Sequence, residues 1–317
     1  EFGDRGFAGG VMLGYGTTVG NLYLGAELEG ALGGPKWLHV ADRTFSIRKK
    51  DSFGLAARAG WIARSGSLIY GRVGVSSTAL NTEYLHSENL FDDTARYAGL
   101  AFGVGAEAAT ARHGFVRAEY VLTSYGDVDV PTGNEDFDNL STSEGQFRLG
   151  AGLRLGKSVA DAGKAASPTR FGGPYVGLQF GHGGLVSRNR GIRSGGTSID
   201  IQRSGLGPVG GIFGGIGGIW RPVYAGIEAD AEVSGIDWNI ERDPDGRVYS
   251  AERQYSASIA ARVGWIISQS ALFYVRAGPA WTKFRIPYAT TGDSVLTTRT
   301  RAGLRIGAGL ELGISSR

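Results

Sequence analysis

Side chains that alternate in polarity with a period of two, in segment after segment of a 317-residue chain, restrict it to sheets whose two faces meet different surroundings. In 22–31, Leu22, Leu24, Ala26 and Leu28 alternate with Tyr23, Gly25, Glu27 and Glu29. In 223–233, Val223, Ala225, Ile227, Ala229, Ala231 and Val233 alternate with Tyr224, Gly226, Glu228, Asp230 and Glu232. In 53–63, Phe53, Leu55, Ala57, Ala59, Trp61 and Ala63 share one face, opposite Gly54, Ala56, Arg58, Gly60 and Ile62. A helical stripe recurs at three and four residues and does not sort side chains in this way. The pattern predicts about thirteen strands, near 7–16, 22–31, 53–63, 68–79, 97–109, 115–126, 146–155, 174–182, 209–219, 223–233, 255–267, 272–285 and 301–313.

The connections alternate in length. Tight ones (17–21, 64–67, 110–114, 220–222 and 268–271) take turns with long polar ones near 35–51, 80–96, 127–145, 183–207, 235–254 and 287–300. Short turns at one end and long loops at the other are the layout of outer-membrane barrels, with the loops outside. Hydropathy is compatible. No apolar run reaches the ~18 residues of a membrane helix, and mean hydropathy is −0.10. A barrel strand needs only about 9–11 residues with alternate side chains apolar, which keeps the average low.

Composition excludes several classes. Cysteine is absent, so neither a disulfide framework nor a thiolate metal site exists. A formal charge of +3 is too slight a bias for nucleic acid. Glycine, at 54 residues, has no Gly-X-Y period and is interleaved with long side chains along the strands.

The chain also repeats itself. Gly9-Gly10-Val11 through Glu27 matches Gly210-Gly211-Ile212 through Glu228 at an offset of 201. At an offset of 204, Ala56–Ile62 matches Ala260–Ile266, Tyr70-x-Arg72-x-Gly74 matches Tyr274-x-Arg276-x-Gly278, and Ala98–Glu107 matches Ala302–Glu311. Matched blocks in the same order indicate a duplicated unit.

That unit resembles the opacity-type, OmpA-like family of eight-stranded outer-membrane barrels. The resemblance rests on Phe7–Tyr15, the strand 57–61 with its partner 68–74, Val116–Tyr120 and Phe147–Leu153. It implies an all-β, antiparallel transmembrane barrel in the bacterial outer membrane, without enzyme activity or cofactor. In family terms, residues 1–156 correspond to strands two to eight and 174–317 to strands one to six, joined by an Ala-, Gly- and Ser-rich periplasmic linker at 157–173. Both ends are accordingly expected to be clipped. Two arrangements stay open: tandem eight-stranded barrels, favoured here, or one barrel of about 14–16 strands.

One face of the predicted sheets is aliphatic and is expected to meet lipid: Leu22, Leu24, Phe53, Leu55, Val73, Leu100, Phe102, Val104, Leu149, Leu153, Ile227, Ile259, Val263, Ile306 and Leu310. Trp61, Tyr120, Trp220, Trp265 and Trp281 are the expected aromatic girdle. The other face carries Glu27, Glu29, Arg58, Arg72, Glu107, Arg117, Glu119, Arg148 and Arg154, with Glu228, Asp230, Arg262, Arg276 and Glu311 in the second half. Charges of both signs on one face are expected to pair in the lumen, because an isolated charge there costs several kcal/mol. This favours narrow, filled barrels with a structural or surface-interaction role; the alternative is a diffusion porin for small solutes.

Catalytic readings of the carboxylates lack a cleft, and no Gly-x-Ser-x-Gly elbow marks a hydrolase. His39, His86, His113 and His182 show no metal-ligand spacing. The basic clusters Lys36, Arg43, Arg48, Lys49 and Lys50, and Arg188, Arg190, Arg193 and Arg203, fall in expected outer loops, where lipopolysaccharide phosphates lie. Outer-membrane lipid and lipopolysaccharide are therefore the expected partners, with other envelope proteins or a host surface open and the oligomeric state undetermined.

Overall fold

A computed structural model describes residues 4–40, 44–63, 65–86, 89–110, 114–128, 140–155, 171–192, 198–242, 247–268, 270–289 and 294–313. The chain divides into two compact units, one built mainly from residues 5–170 and the other from 171–266 and 273–309. The regular elements among the described residues are all strands.

In the first unit these are β1 (Ala8–Val19), β2 (Leu22–Gly33), β3 (Lys36–Val40), β4 (Thr44–Ile62), β5 (Leu68–His86), β6 (Asn89–Ala109), β7 (Gly114–Val128) and β8 (Leu140–Leu153). They pair antiparallel with their sequence neighbours, except that β4 pairs both with β2, along its lower part, and with the short β3, along its upper part. The β1–β2 turn is two residues long, and Gly20, at a φ of 62°, supplies the left-handed conformation that such a turn demands. Gly66, at a φ of 79°, does the same between β4 and β5. The sheet curls. Side chains of β7 and β8 reach carboxylates on β2 and a lysine on β4 across its concave side.

The second unit holds β9 (Gly173–Ile192), β10 (Ser198–Trp220), β11 (Val223–Arg242), β12 (Arg247–Ser268), β13 (Ala271–Ala289) and β14 (Ser294–Leu312), paired in chain order. Its register repeats the first unit's. Glu27 on β2 faces Ala56 on β4, and Glu228 on β11 faces Ala260 on β12.

Strands run well past the predicted limits. β5 and β6 have 19 and 21 residues and stay paired from Leu68↔Glu107 to His86↔Asn89, so the long loop expected at 80–96 is a hairpin. Expected loops 35–51, 183–207, 235–254 and 287–300 likewise hold strand, including β3, which the alternation did not predict. The reason is physical. About 10 residues cross the bilayer, and beyond it both faces of a hairpin are wet, so the contrast that reveals a strand fades while its backbone ladder continues. Most of the expected linker 157–173, and 129–139 of the expected loop 127–145, lie outside the described residues.

Three register shifts interrupt the paired strands, one of them on β7 between Ser124 and Gly126. Between Lys49 and Ser52 two residues of β4, Lys50 and Asp51, stand opposite Ala79 alone. The third lies between Val233 and Ile236 on β11. Below the β4 bulge the outward residues of that strand are odd-numbered; above it Arg48 and Lys50 are exposed and Lys49 is buried.

Candidate functional site

The aliphatic set lies on the convex sides of the two sheets, with Phe53, Leu55, Val73, Leu100, Phe102 and Ile227 about half exposed. Trp61, Trp220 and Trp265 are exposed close to the turn ends of β4, β10 and β12, and Trp281 is exposed on β13 further from the turn. Tyr120 is half-buried in the middle of β7, away from any strand end, because its ring leans over the neighbouring Gly145.

The concave side of the first unit holds a continuous chain of opposed charges. At the turn end Arg154 pairs with Glu107, whose other oxygen accepts from Arg58 at 3.1 Å. Arg58 also donates to Glu27 at 3.2 Å, and Arg117 reaches the same Glu27 oxygen at 2.6 Å. Glu119, with its side chain fully buried, lies 3.0 Å from Arg72, 3.4 Å from Arg148 and 3.5 Å from Arg117. Arg72 and Arg148 close on Glu29 at 2.9 and 2.8 Å. Towards the loops Arg148 donates to Gln146, Gln146 to Glu144, and Glu144 pairs with Lys49 at 2.6 Å.

Tyrosines sit inside this chain. The Arg58 guanidinium lies 3.8 Å from the Tyr70 ring centre and 5.6 Å from that of Tyr23, while the Tyr70 hydroxyl donates to Glu119 at 2.8 Å. Glycines make the space. A Cβ on Gly105 would come 2.5 Å from the Tyr70 ring, so Gly105 is what lets that ring lie flat under Arg58.

The second unit rebuilds the same motif from the repeated residues. Arg262 lies 3.8 Å from the Tyr274 ring centre and 5.6 Å from that of Tyr224, and pairs with Glu228 at 2.7 Å. Arg276 bridges Glu228 and Asp230, as Arg72 bridges Glu119 and Glu29. The supporting residues differ. Tyr175 of β9 donates to Glu228 where Arg117 serves Glu27, and Arg305 of β14 serves Asp230 where Arg148 serves Glu29.

All nine charged lumen candidates of the first half thus fall in one network, and Glu228, Asp230, Arg262 and Arg276 in another. Glu311 lies exposed on β14. Outside the lumen candidates were Lys49, Tyr125 and Glu144 in the first unit and Glu232, Arg253 and Arg305 in the second. Signal for three of them was present: the alternation of 223–233 already put Glu232 on the polar face, Glu144 continues the parity of Arg148, and Arg305 shares that of Glu311.

The basic surface candidates divide. Lys49 is not a surface residue: the bulge turns it inward onto Glu144, leaving its side chain 6% exposed. Arg203 is half-buried, with its guanidinium 5.6 Å from the ring centre of Trp238. Lys36 pairs with Glu83 at 3.3 Å on the loop side, and hydrogen bonds from Ser46 and from Lys36 hold the Glu83 carboxyl below the usual carboxylate range. Arg48, Lys50 and Arg188 are exposed. Arg43 and Arg193, and the side chain of Arg190, lie outside what is described. Among the described residues, no group of three or more His, Cys, Asp or Glu is placed to hold a metal ion.

Antiparallel sheets that turn aliphatic and aromatic side chains outward and bury paired arginines and carboxylates on the concave side define an integral β-barrel protein of the outer membrane. Residues 1–154 match the family model described as outer membrane protein beta-barrel domain. The first half of the chain belongs to that family, and the protein resides in the bacterial outer membrane. No curated protein and no solved structure matches the chain.

Proposed function

We propose that this protein is a structural and surface-interaction barrel, not a diffusion porin, with its interior filled by ion pairs and its basic outer residues contacting lipopolysaccharide. On this reading 1–156 and 174–317 are two copies of one barrel repeat and 157–173 is the periplasmic linker. The observation that carries the proposal is the charge chain from Arg154 at the turn end to Lys49 near the loops. Such a chain occupies the space a solute would need, and its members stabilise the fold only while they stay paired. Removing one to open a path would strand its partner. The same argument leaves none of Glu27, Glu29, Glu107 and Glu119 free for acid–base work, since each faces at least one guanidinium.

Planar-bilayer recording of the purified protein is the test. Silence, or brief small openings, is expected. Stable channels of nanosiemens conductance would overturn the filled interior in favour of the porin. The lipopolysaccharide contact is tested separately with Arg48→Gln/Lys50→Gln, which leaves Lys49 in place. Less co-purified lipopolysaccharide is expected, and an unchanged amount removes that part of the proposal.

A further inference from the structure

The sheet of the first unit ends on two strands that point the same way. Six antiparallel pairings lead from β1 through β2, β4, β5, β6 and β7 to β8, so β1 and β8 run parallel. Among the described residues β1 pairs only with β2 and β8 only with β7. An edge strand carries a row of unpaired N–H and C=O groups, and in lipid no water satisfies them. Outer-membrane barrels close on an even number of antiparallel strands, and two parallel edges cannot be joined in that pattern. One strand running the other way pairs antiparallel with both.

The second unit shows what sits on the equivalent edge. At the offset of 201, β1 corresponds to the turn half of β10, which carries β9 along the side away from β11. Over 209–220 of β10 only Ile212, Ile216 and Trp220 are exposed, whereas over the matching Ala8–Val19 every residue but Met12 is. Tyr175 on β9, Gly215 on β10 and Glu228 on β11 form one cross-strand row. The Tyr175 ring lies 2.5 Å from where a Gly215 Cβ would be, and its hydroxyl donates to Glu228 at 2.9 Å. Gly14 and Glu27 stand in the same row of the first unit. The nearest atoms to a Cβ on Gly14 would be the Ala26 carbonyl oxygen, at 3.1 Å, and the Glu27 side chain, at 3.7 Å, and Gly14 is exposed, so the seat above it is open. Arg58 and Arg117 share Glu27 Oε2, and Glu27 Oε1 is buried with no hydrogen-bond partner among the described residues. Both Glu228 oxygens are engaged, one by Tyr175 and Arg262 and the other by Arg276. A tyrosine over Gly14 would supply what Glu27 lacks.

We infer that the first unit is an acceptor for one further polypeptide strand, seated between β1 and β8 and antiparallel to both. Its occupant has the chemistry of β9: Val, Leu and Phe turned to lipid, as Val176, Leu178 and Phe180 are, and a tyrosine turned inward onto Glu27. This rests on the reading of the two halves as copies of one barrel repeat. The 317-residue protein in detergent is titrated with a dye-labelled synthetic peptide of residues 173–182, with its Tyr175→Phe form and with a shuffled peptide of the same composition, and binding is read by fluorescence anisotropy. One peptide per chain is expected to bind, the shuffled peptide is not, and the Tyr175→Phe form should bind about tenfold more weakly for want of a hydrogen bond to a carboxylate. Gly14→Leu in the protein, checked for folding by circular dichroism, should weaken the tyrosine peptide by about tenfold by filling the seat. A benzophenone in place of Leu178 of the peptide should cross-link to β1 and β8. Binding no better than the shuffled peptide, or cross-links confined to β10, would overturn the acceptor site, and equal affinity of the tyrosine and phenylalanine peptides would overturn the contact with Glu27. Neither result touches the filled interior, which channel recording without peptide decides.

Discussion

Glu119→Gln tests whether the interior charges hold the first unit together. The Glu119 side chain is 0% exposed and faces Arg72, Arg148 and Arg117 within 3.5 Å, and it also accepts the Tyr70 hydroxyl. The surrounding cluster opposes Arg58, Arg72, Arg117, Arg148 and Arg154 to Glu27, Glu29, Glu107 and Glu119, so it already holds one guanidinium more than carboxylates. Glutamine keeps the shape and the hydrogen-bonding oxygen but deepens that excess. Arg72 and Arg148 keep Glu29, and Arg117 keeps Glu27, so no guanidinium is left wholly alone. Breaking a buried pair costs about 3–5 kcal/mol, and this sharing places the expected loss near 3. With a urea slope of about 2 kcal/mol per molar, the unfolding midpoint in lipid vesicles, followed by tryptophan fluorescence, falls by about 1.5 M. Adding Arg148→Gln, which removes a partly exposed cation from the same carboxylate, should recover about 1 kcal/mol as a coupling term. A midpoint shift below about 0.3 M, or no recovery in the double variant, would falsify the view that pairing stabilises the interior.

Three further outcomes are expected. Gly105→Ala sets a methyl against the Tyr70 ring and should cost about 1–3 kcal/mol by the same urea assay, whereas Gly71→Ala, outward and open, should stay within about 1 kcal/mol. Because the Glu83 carboxyl is held below its unfolded value, its pairing with Lys36 contributes above the ordinary carboxylate range and is lost as pH falls through the lowered value. Amide exchange of β3 should therefore accelerate only on acidification below that range, and acceleration at neutral pH would remove the assignment. Arg262→Met and Arg58→Met should destabilise their own units to a similar degree, each by about 3 kcal/mol, since each guanidinium lies 3.8 Å from one repeated ring and pairs with one repeated carboxylate, Arg262 having Tyr175 in addition. Unequal losses, read from urea unfolding of each variant, would show that the neighbours that differ matter more.

The membrane-crossing part of the fold was legible because lipid and lumen impose opposite polarity on successive residues. Leu22 to Glu29 and Val223 to Val233 show it without interruption. Legibility failed at the bulges. An alternation read straight through 49–52 puts Lys49 outside and turns Arg48 and Lys50 inward, the opposite of what is found, because one extra residue is enough to reverse it. It failed again above the membrane, where Ile236 and Trp238 are buried in a stretch expected to be loop. The bulge between Val233 and Ile236 carries them inward, and Trp238 donates to Ser187 at 3.0 Å. The charged candidates were read correctly as sharing one face, but which carboxylate each arginine meets depends on sheet curvature. Arg117 finds Glu27 and Arg148 finds Glu29 across strands far apart in the chain, and no local spacing encodes that.

The arginine held between two tyrosines, at the same distances in both halves, makes each run of strands carry its own alignment pin. Copying such a run copies the pin with it. Strand number in a lineage of this kind can therefore grow by whole segments, while the residues around each pin, Arg117 in one case and Tyr175 in the other, drift to suit whatever strand comes to lie alongside.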